Sequence, residues 1–445
     1  MRTVILGAAG RDFHDFLVLY RDDPSVEIVA FTATQIPYID DRRFPAALAG
    51  PRYPDGIPIV PEDDLEALIE RENIEQCVFA YSDVTNDYVA RMAARCNAAG
   101  CDFVLPGTRA MIRGEKPILS ICAVRTGCGK SQATRYMLEK LRDRGLKAVG
   151  IRHPMPYGDL ERQAVQRFAT RDDLVKHECT VEEREEYEPY VENGHVVYAG
   201  VDYTAILRQA EAEADVVLWD GGNNDLPFIK PDLHIVLDDP HRPGDGLRYY
   251  PSEAQLRLAD VIFIAKSQTA PPAAVEAERA LCASVNPTAK VLAVASTLTL
   301  DPDCGVTEAD LAGKRVVVVE DGPTTTHGGM LYGAGMLLAK RAGATIVDPR
   351  GAFVGELEAT YKKYPKLGEL IPAMGYSPQQ LSDLEASINN LDVDYVISGT
   401  PIALEKLVTA NAPILRVRYD LEELDGEVRI DTLLDAFLES VHATA

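Results

Sequence analysis

Residues Pro117–Ser131 read PILSICAVRTGCGKS, an apolar run that passes directly into a glycine-bearing turn ending in Gly-Lys-Ser. That order predicts a buried strand, a tight loop and a helix over Gln132–Arg144, which is what a phosphate cradle requires. The strand aims the loop, and small residues let backbone N–H groups close on a polyphosphate. The residues expected to hold a nucleotide are therefore Arg125, Thr126, Gly127, Cys128, Gly129, Lys130, Ser131 and Gln132. Lys130 would reach the outer phosphates, and Ser131 would offer its hydroxyl to Mg²⁺. Val124 stands where the pattern G-x-x-x-x-G-K-[ST] has its first glycine.

A second signature lies downstream. Val216–Leu218 is strand-like and apolar, and Trp219-Asp220-Gly221-Gly222 follows it. A strand-end aspartate here is the other half of a P-loop site, holding Mg²⁺ directly or through water. Val149–Arg152 is another strand, ending in Arg152, a candidate clamp for an anionic substrate or transition state. Val261–Ile264 runs into Ala265-Lys266-Ser267-Gln268. Lys266 could lay its stem along a purine face. An Asn-Lys-x-Asp box for guanine is lacking, because Ala265 and Gln268 replace its Asn and Asp. The charged run Glu182–Glu188 reads as a solvated helix face.

The 445 residues exceed one ordinary core, and three α/β blocks are expected: 1–114, 115–300 and 301–445. In the first, strand and helix patterns alternate at the spacing of a parallel, doubly wound sheet. Gly7-Ala8-Ala9-Gly10 and Arg11 follow its first strand. They are either an anion or nucleotide seat, or small residues that permit tight helix–strand packing. Ile36–Pro61 is expected to be a long ordered loop. In the third block, Glu320, Asp321, Gly322, Pro323, Thr324, Thr325, Thr326, His327, Gly328 and Gly329 follow a strand. That density of reactive groups suggests a site for an anionic co-substrate, with His327 able to carry a proton near neutral pH.

Composition excludes several classes. The formal charge of −24 argues against a nucleic-acid partner. No apolar run reaches membrane-spanning length, and Met1–Gly7 enters a strand at once, so neither a membrane span nor an export signal is expected. Eight cysteines without a C-x-x-C pair read as reduced cytoplasmic thiols, and neither they nor the eight histidines show ligand spacing.

The sequences VRTGCGKS (Val124–Ser131), WDGGNND (Trp219–Asp225), EDGPTTTHGGM (Glu320–Met330) and SGTP (Ser398–Pro401) behind a Rossmann-like amino-terminal block resemble the cyclic 2,3-diphosphoglycerate synthetase family and its relatives described only as GTPases. The resemblance covers nearly the whole chain, and the P-loop region is similar to the metallochaperone and dethiobiotin-synthetase class. It implies an α/β chain with a Rossmann-like domain, a central P-loop domain and a carboxyl-terminal α/β region. It further implies ATP (or GTP) with Mg²⁺ on Lys130, Ser131 and Asp220, and a second substrate near Glu320–Gly329. The implied reaction is ATP-driven closure of an intramolecular phosphoanhydride. The partners expected are a nucleotide and a small phosphorylated or anionic substrate, in a cytoplasmic homodimer. The rival expectations are an NTPase of regulatory or metal-delivery type and a nucleotide-sensing module without turnover.

Overall fold

The computed structural model describes all residues except 8, 9, 34–41, 154, 156, 157, 223, 326–330, 365, 374–377, 425, 427, 428 and 445, and except the side chains of 181, 182, 323, 324 and 442–444. The chain is α/β throughout, with two large sheets.

The amino-terminal sheet has six strands, in the order Arg43–Phe44, Ile57–Pro61, Glu27–Ala33, Arg2–Leu6, Gln76–Phe79 and Asp102–Val104. All pairs are parallel apart from the edge pairing of Arg43–Phe44 with Ile57–Pro61. Arg2–Leu6 lies between Glu27–Ala33 and Gln76–Phe79, so the strand order reverses at its carboxyl end, where Gly7 and Arg11 sit. Open α/β sheets place ligands at such a switch point. Gly7 adopts φ +131°, which favours glycine, while its N–H donates to Thr32 O at 3.2 Å. The segment read as a loop, Ile36–Pro61, contains a strand, because Ile57–Pro61 pairs with Glu27–Ala33. Its two prolines hid the strand pattern, yet both lie near an edge that tolerates them.

The second sheet has thirteen strands. Ile118–Ala123 is central, flanked by Val216–Asp220 and Leu233–Asp238, with Ala148–Arg152 beyond Val216–Asp220. Parallel register sets Asp220 opposite both Ile121 and Arg152. The eleven-residue strand Lys290–Leu300 pairs parallel with Val261–Ile264 at its start and antiparallel with Ile414–Glu423 thereafter. The P-loop region and the carboxyl-terminal region thus share one sheet. The last helix, Ile430–Thr444, returns to the P-loop core: Ile430, Leu433, Leu434 and Phe437 pack with Met137, Leu138 and Leu141.

The helix Val181–Glu192 departs from expectation. Glu183, Glu185 and Glu188 are only 1%, 6% and 3% exposed, so this charged run is not a solvated face. Each buried carboxylate has a distant partner: Gln163 for Glu183 at 3.2 Å, Thr400 for Glu185 at 2.9 Å and Arg171 for Glu188 at 3.3 Å. The helix therefore joins the P-loop strands to the turn Ser398–Pro401.

Candidate functional site

The loop after Ile118–Ala123 has the shape of an anion cradle. Gly127 and Gly129 adopt φ +82° and +102°, conformations that side chains rarely take. Two cations pull the loop's carbonyls one way: Arg242 donates to Thr126 O at 2.8 Å and Lys266 to Gly127 O at 2.7 Å. In a trans peptide the following N–H points opposite to the carbonyl, so the N–H groups of Gly127 and Cys128 face away from those cations. Helix Lys130–Asp143 begins at once and adds its positive end. Burial, with the Arg152 charge nearby, depresses the Lys130 ammonium below its usual range. A polyanion would relieve that penalty, so the residues present fit a nucleotide's phosphates. Ser131 lies on the first turn of that helix.

The remaining expected residues fall into place unevenly. Asp220 is fully buried and engaged on both oxygens: Arg152 Nη1 lies 2.8 Å from Oδ1, and the Tyr190 hydroxyl donates to Oδ2 at 2.6 Å. Arg152 also pairs with Glu186 and donates to Gly221 O at 2.8 Å. The expected metal ligand and the expected anion clamp therefore hold each other, as register neighbours on adjacent strands. His153 next to them is buried, and burial with Arg152 and Lys130 nearby drives its pKa far down, so it is neutral.

Arg125 also differs from expectation. It binds Asp83 of the amino-terminal block, meets Asp245 Oδ2 at 2.7 Å and stacks on Tyr249 with its guanidinium 3.5 Å from the ring centre. Asp83 in turn accepts the Thr126 N–H at 3.2 Å. Arg125 thus ties two blocks together beside the loop. Gln132 is buried and accepts from Ser296 at 2.9 Å, while Cys128 is buried with its Sγ 3.2 Å from Arg242. The Lys266 ammonium sits on the loop and on Asp239, at 2.8 Å. Burial opposes ionisation of Asp239, but Lys266, His241 and Arg242 outweigh it and hold its carboxyl low. Gln268 grips the Ser296 backbone with both its amide oxygen and nitrogen.

Glu320 proves to be a helix cap. Its carboxylate accepts the N–H groups of Gly333, Gly335 and Met336 at 3.1, 3.3 and 2.7 Å, at the start of helix Ala334–Arg341. Burial nevertheless lifts its pKa to about 7, against those donors. Thr325 is turned inward, donating to Asp321 O at 2.8 Å. The Thr324 side chain and Thr326, His327, Gly328 and Gly329 lie outside the described residues. Asp321 approaches the P-loop side of the molecule: the Tyr419 hydroxyl lies within electrostatic reach of Asp321, Glu185 and Glu186, and Tyr419 O accepts from Arg135 of the P-loop helix at 3.0 Å.

Asp83, Asp239, Arg242 and Asp245 were not legible in sequence as loop contacts. Their only signal is position just beyond a strand. Spacing also concealed a group of three buried thiols, Cys77, Cys96 and Cys101, whose sulfurs lie within 4.8 Å of one another in the amino-terminal core.

Strand, cradle, buried lysine and helix together define a nucleotide-binding protein of the P-loop class. The chain is 54% identical over 442 residues, 99% of its length and 97% of the other, to the arginine synthetase ArcE of Thermococcus kodakarensis, and it belongs to that protein's family. No family model matches. Among solved structures, LpxK of Aquifex aeolicus in complex with ATP aligns over 79% of this chain and 97% of its own, at 13% identity and a TM-score of 0.44. The MinD cell division protein of Aquifex aeolicus aligns over 52% and 80%, at 11% identity and a TM-score of 0.18. Superpositions this loose carry no argument about function.

Proposed function

We propose that this chain is a cytoplasmic, Mg²⁺-dependent synthetase that uses ATP or GTP to make arginine. The observation that carries the reading is the 54% identity, across almost all of both chains, to a protein named for that activity. A carbon already bonded to nitrogen and oxygen is a poor electrophile, so its oxygen must first become a leaving group. The nucleotide's β–γ P–O bond breaks as the γ-phosphoryl group joins that oxygen. A nitrogen nucleophile then forms the C–N bond, the C–O bond breaks, phosphate departs and the new nitrogen sheds a proton.

Such transfer needs positioning and positive charge. Lys130, the loop N–H groups and the helix end hold the phosphates, and Asp220 and Glu186 fix Arg152 beside them. Mg²⁺ bound at Ser131 would neutralise phosphate charge. The ring closure expected from the family resemblance shares the phosphorylation step but needs a phosphate as second nucleophile, and the relative's name favours nitrogen instead.

The test runs the reaction backwards, which needs no knowledge of the precursor. L-Arginine, ADP or GDP and phosphate with Mg²⁺ should yield the triphosphate and a new amino acid identifiable by mass. Hydrolysis of ATP and GTP with no arginine consumed or formed under any condition would refute the proposal.

A further inference from the structure

The switch point of the amino-terminal sheet faces the segment after Asp220, and charged groups are buried between them. Arg11 is 6% exposed, Asp15 0% and Asp225 9%. Arg11 donates through Nη1 to Leu226 O at 3.1 Å and lies 3.6 Å from Asp15 through Nε. Its Nη2, both Asp15 carboxylate oxygens and Asp225 Oδ1 make no hydrogen bond to any described residue. Ser82 hydrogen-bonds Asp225, and the Tyr250 hydroxyl lies within electrostatic reach of Arg11, Asp15 and Asp225. A purely structural anchor would satisfy these atoms, since a buried polar atom without a hydrogen bond is costly.

We propose that Arg11, Asp15 and Asp225 form the seat for the α-carboxylate and α-ammonium of an amino-acid substrate, between the amino-terminal block and the P-loop. The guanidinium supplies a forked donor that matches a carboxylate, and the two aspartates supply acceptors for an ammonium. Neither charge alone suits this mixture, whereas a zwitterion matches both halves. The position is right for chemistry at the far end of the side chain. Asp225 feels the charge of Lys130, Asn224 Oδ1 accepts from Asp83 N at 2.6 Å, and Asp83 touches the loop at Thr126.

The neighbourhood is built to stay put. His14 stacks on Phe228 at 4.1 Å and bonds Ala110 O at 2.7 Å, and burial lowers its pKa to about 3 so that it adds no charge. Burial lifts Asp15 to about 6 against the pull of Arg11, with the Asp225 charge adding to the rise. The helix carrying Arg11 and Asp15 continues as a π-helix over Phe16–Tyr20, a distortion frequent at functional sites.

The inference rests on the synthetase reading, and the experiment separates the two. Calorimetric titration with L-arginine and, separately, agmatine, which lacks the α-carboxylate, is run on the full chain with Mg²⁺–ADP present. The parent should prefer L-arginine. Arg11→Met should weaken L-arginine about 10- to 100-fold, the scale of a lost charged hydrogen bond, and abolish the preference over agmatine. Asp225→Asn should weaken both ligands, and unchanged Mg²⁺–ADP binding verifies folding. If Arg11→Met does not fold, Arg11→Lys keeps the charge, loses the fork and should still erase most of the preference. Variants that bind L-arginine like the parent would overturn the seat and leave the synthetase reading standing. A parent that binds Mg²⁺–ADP but not L-arginine would overturn both.

Discussion

Removing Asp220 distinguishes two roles that the sequence alone merges. As a metal ligand, Asp220 would contribute little to the stability of nucleotide-free protein. In the structure it holds Arg152 at 2.8 Å and accepts the Tyr190 hydroxyl at 2.6 Å, with no exposure to solvent. Asp220→Ala leaves a guanidinium, 3% exposed, with Glu186 as its remaining carboxylate. Breaking a buried ion pair from one side costs about 3–5 kcal/mol. A structural unit of this size loses about 2–4 °C of Tm per kcal/mol, so a fall of roughly 6–20 °C is expected. Tyr190→Phe removes one hydrogen bond to a charged group, about 1.5–3 kcal/mol, and should fall between.

The assay is thermal unfolding in EDTA without nucleotide, followed by Mg²⁺ titration of the nucleotide-loaded protein. A Tm for Asp220→Ala within about 2 °C of the parent, together with lost Mg²⁺ dependence, would refute the ion-pair role and restore the metal ligand.

Lys130→Ala should reduce turnover by about 10²- to 10³-fold, as loss of a charge-stabilising donor does; steady-state rates at saturating nucleotide check it, and a parental rate would remove Lys130 from the reaction. ATP should bind at least as well as GTP, because Gln268 is committed to the Ser296 backbone; competition binding in which GTP wins by about a hundredfold would show that another residue reads the base. Glu320 titrates near 7 when folded and near 4.5 as a free side chain, so the folded state binds the extra proton between those values. Its contribution is therefore greatest at acid pH and is lost as pH rises through 7. Relative to Glu320→Gln, the parent should lose about 3 kcal/mol between pH 4.5 and 8, read by denaturant unfolding. Thr400→Val removes a donor from the buried Glu185 carboxylate and should cost about 1–3 kcal/mol, whereas a shift below a few tenths would mean that the contact is dispensable.

What the sequence revealed was local. The stretch Pro117–Ser131 states its strand, turn and helix in consecutive residues, and Val216–Asp220 does the same for its partner strand. Contacts across the chain leave no such trace. Asp83 meets Arg125 from 42 positions away and Asp245 from 120, and each looks like an ordinary turn residue. Glu183, Glu185 and Glu188 were misread for the same reason: a run of charge predicts solvent unless the polar groups that satisfy it are known, and here they come from Gln163, Arg171 and Thr400. The density of reactive groups at Glu320–Gly329 was visible. The assignment of Glu320 to capping was not, since its donors begin thirteen residues later.

The acidic total of the chain and its cationic loop are parts of one design. Arg125, Arg152, Arg242 and Lys266 converge on the cradle, and each is matched by a carboxylate: Asp83 and Asp245 for Arg125, Asp220 and Glu186 for Arg152, and Asp239, three residues before Arg242, shared by the last two. The pairing fixes their geometry before any ligand arrives, so little reorganisation is left for the binding step. At Lys130 burial and the Arg152 charge disfavour the ammonium, Asp220 and Glu186 favour it, and a phosphate entering the loop would add to the favourable side. An electropositive point held among fixed ion pairs makes phosphate capture selective for position, and the adjoining Arg11–Asp225 seat would set which oxygen is presented to it.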